Sequence, residues 1–346
     1  MIGSILVVRF SSIGDIILTT PVLSALAQRF PGSSIDFVVK TEYKELVKGH
    51  PAVRQVWAFD KNTGFRGLKD LKNRLNRQGY DLVLDLHCNL RSTYLRVRTR
   101  AFMKRAYRKH TFARLLLKNF RVNLLNNAPP VCDRYFSALE DFGVSREGRA
   151  PELYLPAESR AKATAVLAEE GVEPPEVYVC LAPGASYPTK RWSAEGFGEA
   201  ATSLAGTEKA VVMVGDESDL TVCSFISADL AEKGVQAINL AGRLSLAESA
   251  AVLAKASVVL SNDSGLMHIA AALNRPLVAV FGPTSRELGF YPQGKRSGTV
   301  EVHGLSCRPC TLHGDRECPE GHHDCMRMIA PDQVVKEAEK VMERES

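Results

Sequence analysis

The chain has 346 residues, is 45% hydrophobic and 24% charged, and carries a formal net charge of +5. That length is too great for one ordinary core and points to two domains, and the composition is that of a soluble globular protein. No uncharged apolar run approaches the roughly 18 residues of a spanning helix, and Arg9 and Asp15 interrupt the apolar stretch where a signal peptide would need its core.

Residues 4–10 read as an apolar strand, and a helix over 16–29 follows Gly14 and Asp15. Further strands fall at 35–39, 53–59 and 81–86, with a basic helical pattern over 65–78 that ends at Gly79. This alternation predicts a parallel sheet covered by helices on both faces. Charge is uneven: residues 91–121 hold eleven Lys or Arg and no Asp or Glu, mixed with Tyr94, Phe102, Tyr107, Phe112 and several leucines. Without them the chain is mildly acidic. Such a mixture suits an anionic lipid surface or a phosphorylated acceptor, the alternative being a solvated helix face.

Prolines at 151, 156, 174 and 175 flank an Ala/Glu-rich helix over 158–170 and mark a linker. The rhythm then restarts, with strands at 177–181, 210–214, 236–240, 257–260 and 277–281. Helices are expected at 193–204 with Ser193 as cap, at 218–233, and at 245–255, where Ser245 and Glu248 form a capping box. A small-residue helix begins near Leu266. The domains are accordingly 1–156 and 157–330, with a helix over 331–346 packing back on the first. Two α/β halves in tandem invite a site in a cleft facing the carboxyl ends of the strands.

Polar loops stand at those ends. Arg9, Ser12, Gly14 and Asp15 follow the first strand; Gly14 suits a tight turn, and Asp15 either serves the site or caps the next helix. The loop from Pro183 to Trp192 offers Lys190 as a mobile charge and Arg191 as a fork for phosphate oxygens, without the Walker pattern. Glu217, in Gly215-Asp216-Glu217-Ser218, is placed to bind a ribose or to begin a helix. Asn262-Asp263-Ser264-Gly265 lies between a strand and a helix, a geometry that leaves backbone N–H groups for an anion, with His268 one turn on. Near the C-terminus Cys307, Cys310, Cys318 and Cys325, spaced C-x2-C-x7-C-x6-C, suit either a closed structural zinc site or free thiols. Cys88, Cys132, Cys180 and Cys223 are scattered and expected to be reduced.

Over nearly its whole length the chain resembles the bacterial lipopolysaccharide heptosyltransferases, glycosyltransferase family 9, of type II. The resemblance is strongest at 9–21, 81–91, 182–192 and 240–284, and extends to the Cys-rich stretch 307–326. It implies a GT-B fold, two Rossmann-like parallel-sheet domains facing across a cleft. It also implies an inverting, metal-independent transfer of heptose from ADP-L-glycero-β-D-manno-heptose to the lipopolysaccharide inner core. Asp15 then matches the catalytic base, and Lys190 the contact to donor phosphate. Glu217 matches the acid near the ribose, and Leu244 the adenine-pocket residue. Asp263, Ser264 and Gly265 match the loop beside the diphosphate, with His268 near it. The N-terminal domain would take the acceptor through Arg9, Ser12, Gly14 and Arg91, and the C-terminal domain the ADP-sugar. The enzyme would need no cofactor, apart from a zinc held by the four late cysteines. It would act on lipid A-linked core oligosaccharide at the cytoplasmic face of the inner membrane, as a peripheral protein with no nucleic-acid partner. Tyr187-Pro188-Thr189 departs from the family's donor loop. The alternatives are another GT-B sugar transferase or a nucleotide-sugar epimerase, and, outside enzymes, a module binding anionic lipid or nucleic acid.

Overall fold

A computed structural model of the protein describes residues 2–120, 122–125, 128–172, 177–206 and 209–344. Arg121 of the basic stretch, Pro174 and Pro175 of the expected linker, and the last two residues of the expected C-terminal helix lie outside the described residues. The chain divides into two compact units, Met1–Thr111 with Pro129–Tyr154, and Phe112–Ala128 with Leu155–Ser346.

In the first unit β1 (Ser4–Val8), β2 (Ser34–Lys40), β3 (Val53–Phe59), β4 (Tyr80–Asp85) and β5 (Ala101–Ala106) form an all-parallel sheet in the order β3-β2-β1-β4-β5. β1 is the central strand, with Val7 between Phe37 and Leu84, and Ile5, Leu6, Val7 and Val8 are fully buried. A strand covered on both faces must be apolar throughout, which is why it reads as a continuous run. Asp36 in β2 is the exception, a carboxylate with no exposure. Four hydrogen bonds account for it: two from Arg54 at 2.9 and 2.8 Å, one from Trp57 Nε1 at 3.0 Å and one from Tyr80 Oη at 2.6 Å.

Two local features depart from expectation. The helix expected over 16–29 is two, Ile13–Ile17 and Thr20–Arg29. Pro21 has no N–H and its ring collides with the carbonyl four residues back, so the helix restarts there. Thr19 and Thr20 donate their hydroxyls to the carbonyls of Ile16 and Ile17, at 2.6 and 2.8 Å. The basic stretch contains β5, between the helices Leu90–Arg98 and Thr111–Phe120. β5 is a sheet edge, where Lys104 and Arg105 in place of alternating apolar residues are what edges carry. That charge hid the strand.

The second unit holds β6 (Val179–Ala182), β7 (Val211–Met213), β8 (Ala237–Asn239), β9 (Val258–Asn262), β10 (Leu277–Phe281) and β11 (Ser297–Glu301), parallel in the order β11-β10-β9-β6-β7-β8. Ser193 caps Ala194–Ala205 by accepting from the Gly196 N–H, and Ser245 and Glu248 close the capping box of Leu246–Leu253. β11 escaped the sequence reading because, as an edge, it buries only Gly298 and Val300.

The C-terminal helix, Pro331–Glu343, does not return to the first domain as expected. Val334, Ala338 and Val341 are fully buried in the second core, with Val278, Val280 and Val300. The expected division at 156 is also interrupted. Residues 112–128 belong to the second unit, where Leu117 and Leu125 pack with Leu288. An apolar helix face settles against whichever core is nearest, and sequence order does not specify which.

Candidate functional site

In the first unit the site grows from the carboxyl end of β1. The short helix Ile13–Ile17 follows residues 9–12 and puts Asp15 in its first turn. One oxygen of Asp15 lies 2.7 Å from Arg9 Nη2 and accepts from Tyr135 Oη at 3.0 Å. The other accepts from the Ser12 hydroxyl at 3.0 Å and, more weakly, from the Ser12 N–H at 3.3 Å. Burial by itself would raise the pKa of this carboxyl, but Arg9 and these hydrogen bonds outweigh it and hold it down to about 2. Asp15 is therefore ionised throughout the physiological range, with its side chain still 18% exposed.

Arg9 is 6% exposed. It donates through Nε to the Ser11 carbonyl at 2.8 Å, through Nη1 to the Leu86 carbonyl, and lies 5.4 Å from the Tyr135 ring centroid. The sequence placed Arg9 and Ser12 on the acceptor. Here both hold Asp15 in place. Gly14 is buried inside the helical turn, at none of the positive-φ glycine positions. Arg91 stands exposed at the start of Leu90–Arg98, away from this cluster's hydrogen bonds.

Three neighbours escaped the sequence reading. Tyr135 comes from 120 positions further on, and Tyr107, packed edge-on to it at 4.9 Å, from beyond β5. Neither carries a local signal. His87 does, because it follows Asp85 at the carboxyl end of β4. Asp85 is fully buried and accepts the His87 and Cys88 N–H groups at 3.0 and 2.8 Å. Burial first, and then the charge of Arg9, push His87 down to about 3. A histidine that stays neutral when folded but protonates near 6.5 when unfolded makes the unfolded chain bind the extra proton. Its contribution to stability is complete above about 6.5 and falls away between there and about 3. Urea midpoints of the wild type should therefore drop as the pH is lowered through that window. His87→Gln should flatten this slope, and an unchanged slope would contradict the assignment.

The second unit presents its own cluster. The turn Pro188–Lys190 aims Lys190 Nζ at Asp263, 2.7 Å away, and Thr284 donates to the same carboxylate oxygen at 2.8 Å. Asp263 follows β9 and is 5% exposed. Asn262, which the sequence reading gave no role of its own, ties the two loops together. It accepts the Trp192 N–H at 3.0 Å and donates to the Pro183 carbonyl at 2.7 Å. Ser264 stands at the N-cap of Gly265–Ala272 in extended conformation without a side-chain cap bond. Its hydroxyl instead lies 3.3 Å from that of Ser261. The first-turn amides of that helix, Gly265 included, thus keep their capacity for an anion. His268 is buried in the same helix.

Glu217 is exposed in the turn after β7. Gly242, at φ +71°, leaves only 3.4 Å between an added Cβ and Glu217, so the Glu217 turn and the loop carrying half-buried Leu244 adjoin. Arg191 does not extend as a phosphate fork. Nε and Nη2 both donate to the Ala185 carbonyl, at 3.0 and 2.9 Å, which fixes the loop itself.

The late cysteines Cys307, Cys310 and Cys318 are half-buried and Cys325 is buried. All are free thiols, and among the described residues no group of three or more His, Cys, Asp or Glu is placed to hold a metal ion. Cys325 is buried, and burial first, then Cys310, push its thiol up to about 11.

The first unit presents an ionised, oriented carboxylate, and the second a Lys190–Asp263 ion pair beside a helix N-terminus without a side-chain cap. That is the equipment of group transfer from a phosphorylated leaving group. Comparison with known proteins agrees. The chain is 28% identical to lipooligosaccharide heptosyltransferase 2 of Haemophilus influenzae, over 98% of this chain and 99% of that one. It is 27% identical to lipopolysaccharide heptosyltransferase 2 of Escherichia coli, over 99% of each. In fold it is similar to a family 9 glycosyl transferase from Veillonella parvula, with TM-score 0.82 and 23% identity over 98% and 97% of the two chains. It is likewise similar to E. coli ADP-heptose lps heptosyltransferase II, with TM-score 0.77 and 24% identity over 98% of each. The family model for Glycosyltransferase family 9 (heptosyltransferase) matches residues 68–321. With most of its length so matched, this chain belongs to glycosyltransferase family 9.

Proposed function

We propose that the protein transfers L-glycero-D-manno-heptose from its ADP-β-linked donor to the lipopolysaccharide inner core, with inversion at the anomeric carbon. The observation that carries this reading is the Lys190–Asp263–Thr284 cluster beside an N-terminus without a side-chain cap, which offers a cation and backbone N–H groups to a diphosphate. The second unit takes the donor. Lys190 and the amides from Gly265 onward meet the diphosphate, Glu217 the ribose and Leu244 the adenine, with Asp263, Ser264 and His268 completing the pocket. The first unit takes the acceptor. Arg91 and its basic neighbours bind acidic groups, while Arg9, Ser12 and Gly14 set the position of Asp15.

In the reaction the acceptor hydroxyl oxygen bonds to C1 of the heptose as the bond from C1 to the β-phosphate oxygen breaks. The hydroxyl proton passes to Asp15, and ADP leaves with the electron pair. Lys190 and backbone N–H groups offset the charge that grows on the leaving diphosphate, the task a metal ion performs in other transferases.

The acceptor is anchored in lipid, and the first unit has a surface suited to meet it. Leu90 is 92% exposed and Phe102 88%, among Arg91, Arg98, Arg100 and Lys104. Apolar tips among cations suit an anionic bilayer, here the cytoplasmic face of the inner membrane, with the protein held peripherally. No helix among the described residues is long and apolar enough to cross a membrane.

The test is a product assay with ADP-heptose and lipopolysaccharides truncated at successive inner-core sugars. One truncation should gain a single heptose with release of one ADP. Absence of ADP release with every acceptor would end the reading.

A further inference from the structure

The turn that carries Lys190 is gripped from outside by a stretch of chain over a hundred residues later. Thr189 is 5% exposed. Its hydroxyl donates to the Asp315 carbonyl at 2.9 Å and accepts the Asp315 N–H at 2.8 Å, and its own N–H reaches the same carbonyl at 3.4 Å. The Thr189 carbonyl accepts from His323 Nε2 at 2.8 Å. Every polar group of Thr189 is thus committed to residues 315 and 323. Gly314 lies against the same turn at φ +100°. A Cβ there would fall 2.7 Å from Tyr187 Cβ and 2.8 Å from Lys190 Cδ, so the backbone at 314 runs directly along the methylene stem of the lysine.

That stretch is itself anchored. The Cys310 N–H donates to the Pro283 carbonyl at 3.2 Å, and the Thr311 hydroxyl to the Gly314 carbonyl at 2.9 Å. Leu312 packs against the Leu117, Leu125 and Leu288 cluster, and His313 lies 2.9 Å from Arg114 Nη2. Lys190 is therefore held at its base by Thr189, along its stem by Gly314 and at its tip by Asp263. A lysine side chain has large rotamer freedom, and restraining it beforehand removes that loss from the binding step.

We infer that residues 311–323 form a strap that positions Lys190, with Thr189, Gly314 and His323 as positioning residues that set donor affinity and leave the chemical step alone. This rests on the reading that Lys190 holds the donor diphosphate. Thr189→Val keeps the volume and removes the hydroxyl bonds, and Gly314→Ala places a methyl against the lysine stem at a strained φ.

The experiment measures ADP affinity by calorimetry, and kcat and KM for ADP-heptose, in the full chain. Each substitution should raise the ADP Kd and the donor KM about 5–10-fold, the scale of one or two lost hydrogen bonds, with kcat within about twofold. In a Lys190→Met background, Thr189→Val should change the ADP Kd by less than about twofold, because the group it positions is gone. Equal losses in both backgrounds would overturn the strap, since they would mark general destabilisation of the pocket. Unchanged ADP affinity in Thr189→Val, beside a clear loss in Lys190→Met, would overturn the strap alone. Unchanged affinity in Lys190→Met would remove the donor reading and the strap together. If Thr189→Val fails to fold, His323→Gln carries the same comparison.

Discussion

Asp15→Ala lowers the rate of heptose transfer by about 10²–10⁴-fold, the usual contribution of a positioned base, and leaves ADP affinity within about twofold. The split follows from the fold. Asp15 stands at the carboxyl end of β1 in the first unit, whereas every residue assigned to the nucleotide is in the second. A carboxyl held at about 2 is a weak base in the resting protein. It is nonetheless always ready to accept a proton, and the attacking hydroxyl becomes acidic only as its bond to carbon forms. Proton transfer therefore accompanies attack and does not precede it. Removing the carboxylate also strands Arg9, which is buried and has Asp15 as its ion-pair partner. Asp15→Asn separates the two effects, because the amide oxygen keeps a bond from Tyr135 while the base is lost. Asn and Ala variants of equal, low activity with different melting temperatures are the expected pair. Full turnover in Asp15→Asn would take Asp15 out of the mechanism.

Lys190→Ala weakens donor binding by about 1.5–3 kcal/mol, the value of a hydrogen bond to a charged group, or roughly 10–150-fold in Kd. Two contributions act together. The diphosphate loses a cation, and Asp263, 5% exposed, keeps Thr284 but loses the charge that balances it beside an incoming anion. The loss should appear in the calorimetric ADP Kd as well as in kcat/KM, and a wild-type Kd would exclude Lys190 from the donor site. Lys190→Arg should not restore affinity fully. A planar guanidinium cannot replace a compact ammonium on a stem pressed by Gly314.

The legible parts of this protein were those written locally. The bounds of β3 and β10 follow directly from their apolar runs, and Ser193 and Ser245 announced their helices through capping chemistry. Asp15, Lys190 and Asp263 were visible because strand ends followed by polar loops repeat along the chain. What escaped was of two kinds. β5 and β11 bury few apolar side chains, so the apolar pattern is diluted. Tyr135, Tyr107, Asn262 and the pairing of Thr189 with Asp315 are contacts between distant segments, and no spacing rule joins residues 120 or 126 positions apart. The same limit explains why Arg191 looked like a phosphate ligand, since the Ala185 carbonyl that holds it was invisible as a partner.

The chain passes from one compact unit to the other three times, after Thr111, after Ala128 and after Tyr154. A fragment beginning at residue 155 would lack Leu117 and Leu125, leaving Leu288 and Phe290 with Leu312 as what remains of that cluster. Chimeras that exchange donor halves between relatives must accordingly graft residues 112–128 along with the C-terminal portion. A single crossover at the obvious junction would join a scaffold to a lobe missing one of its own pieces.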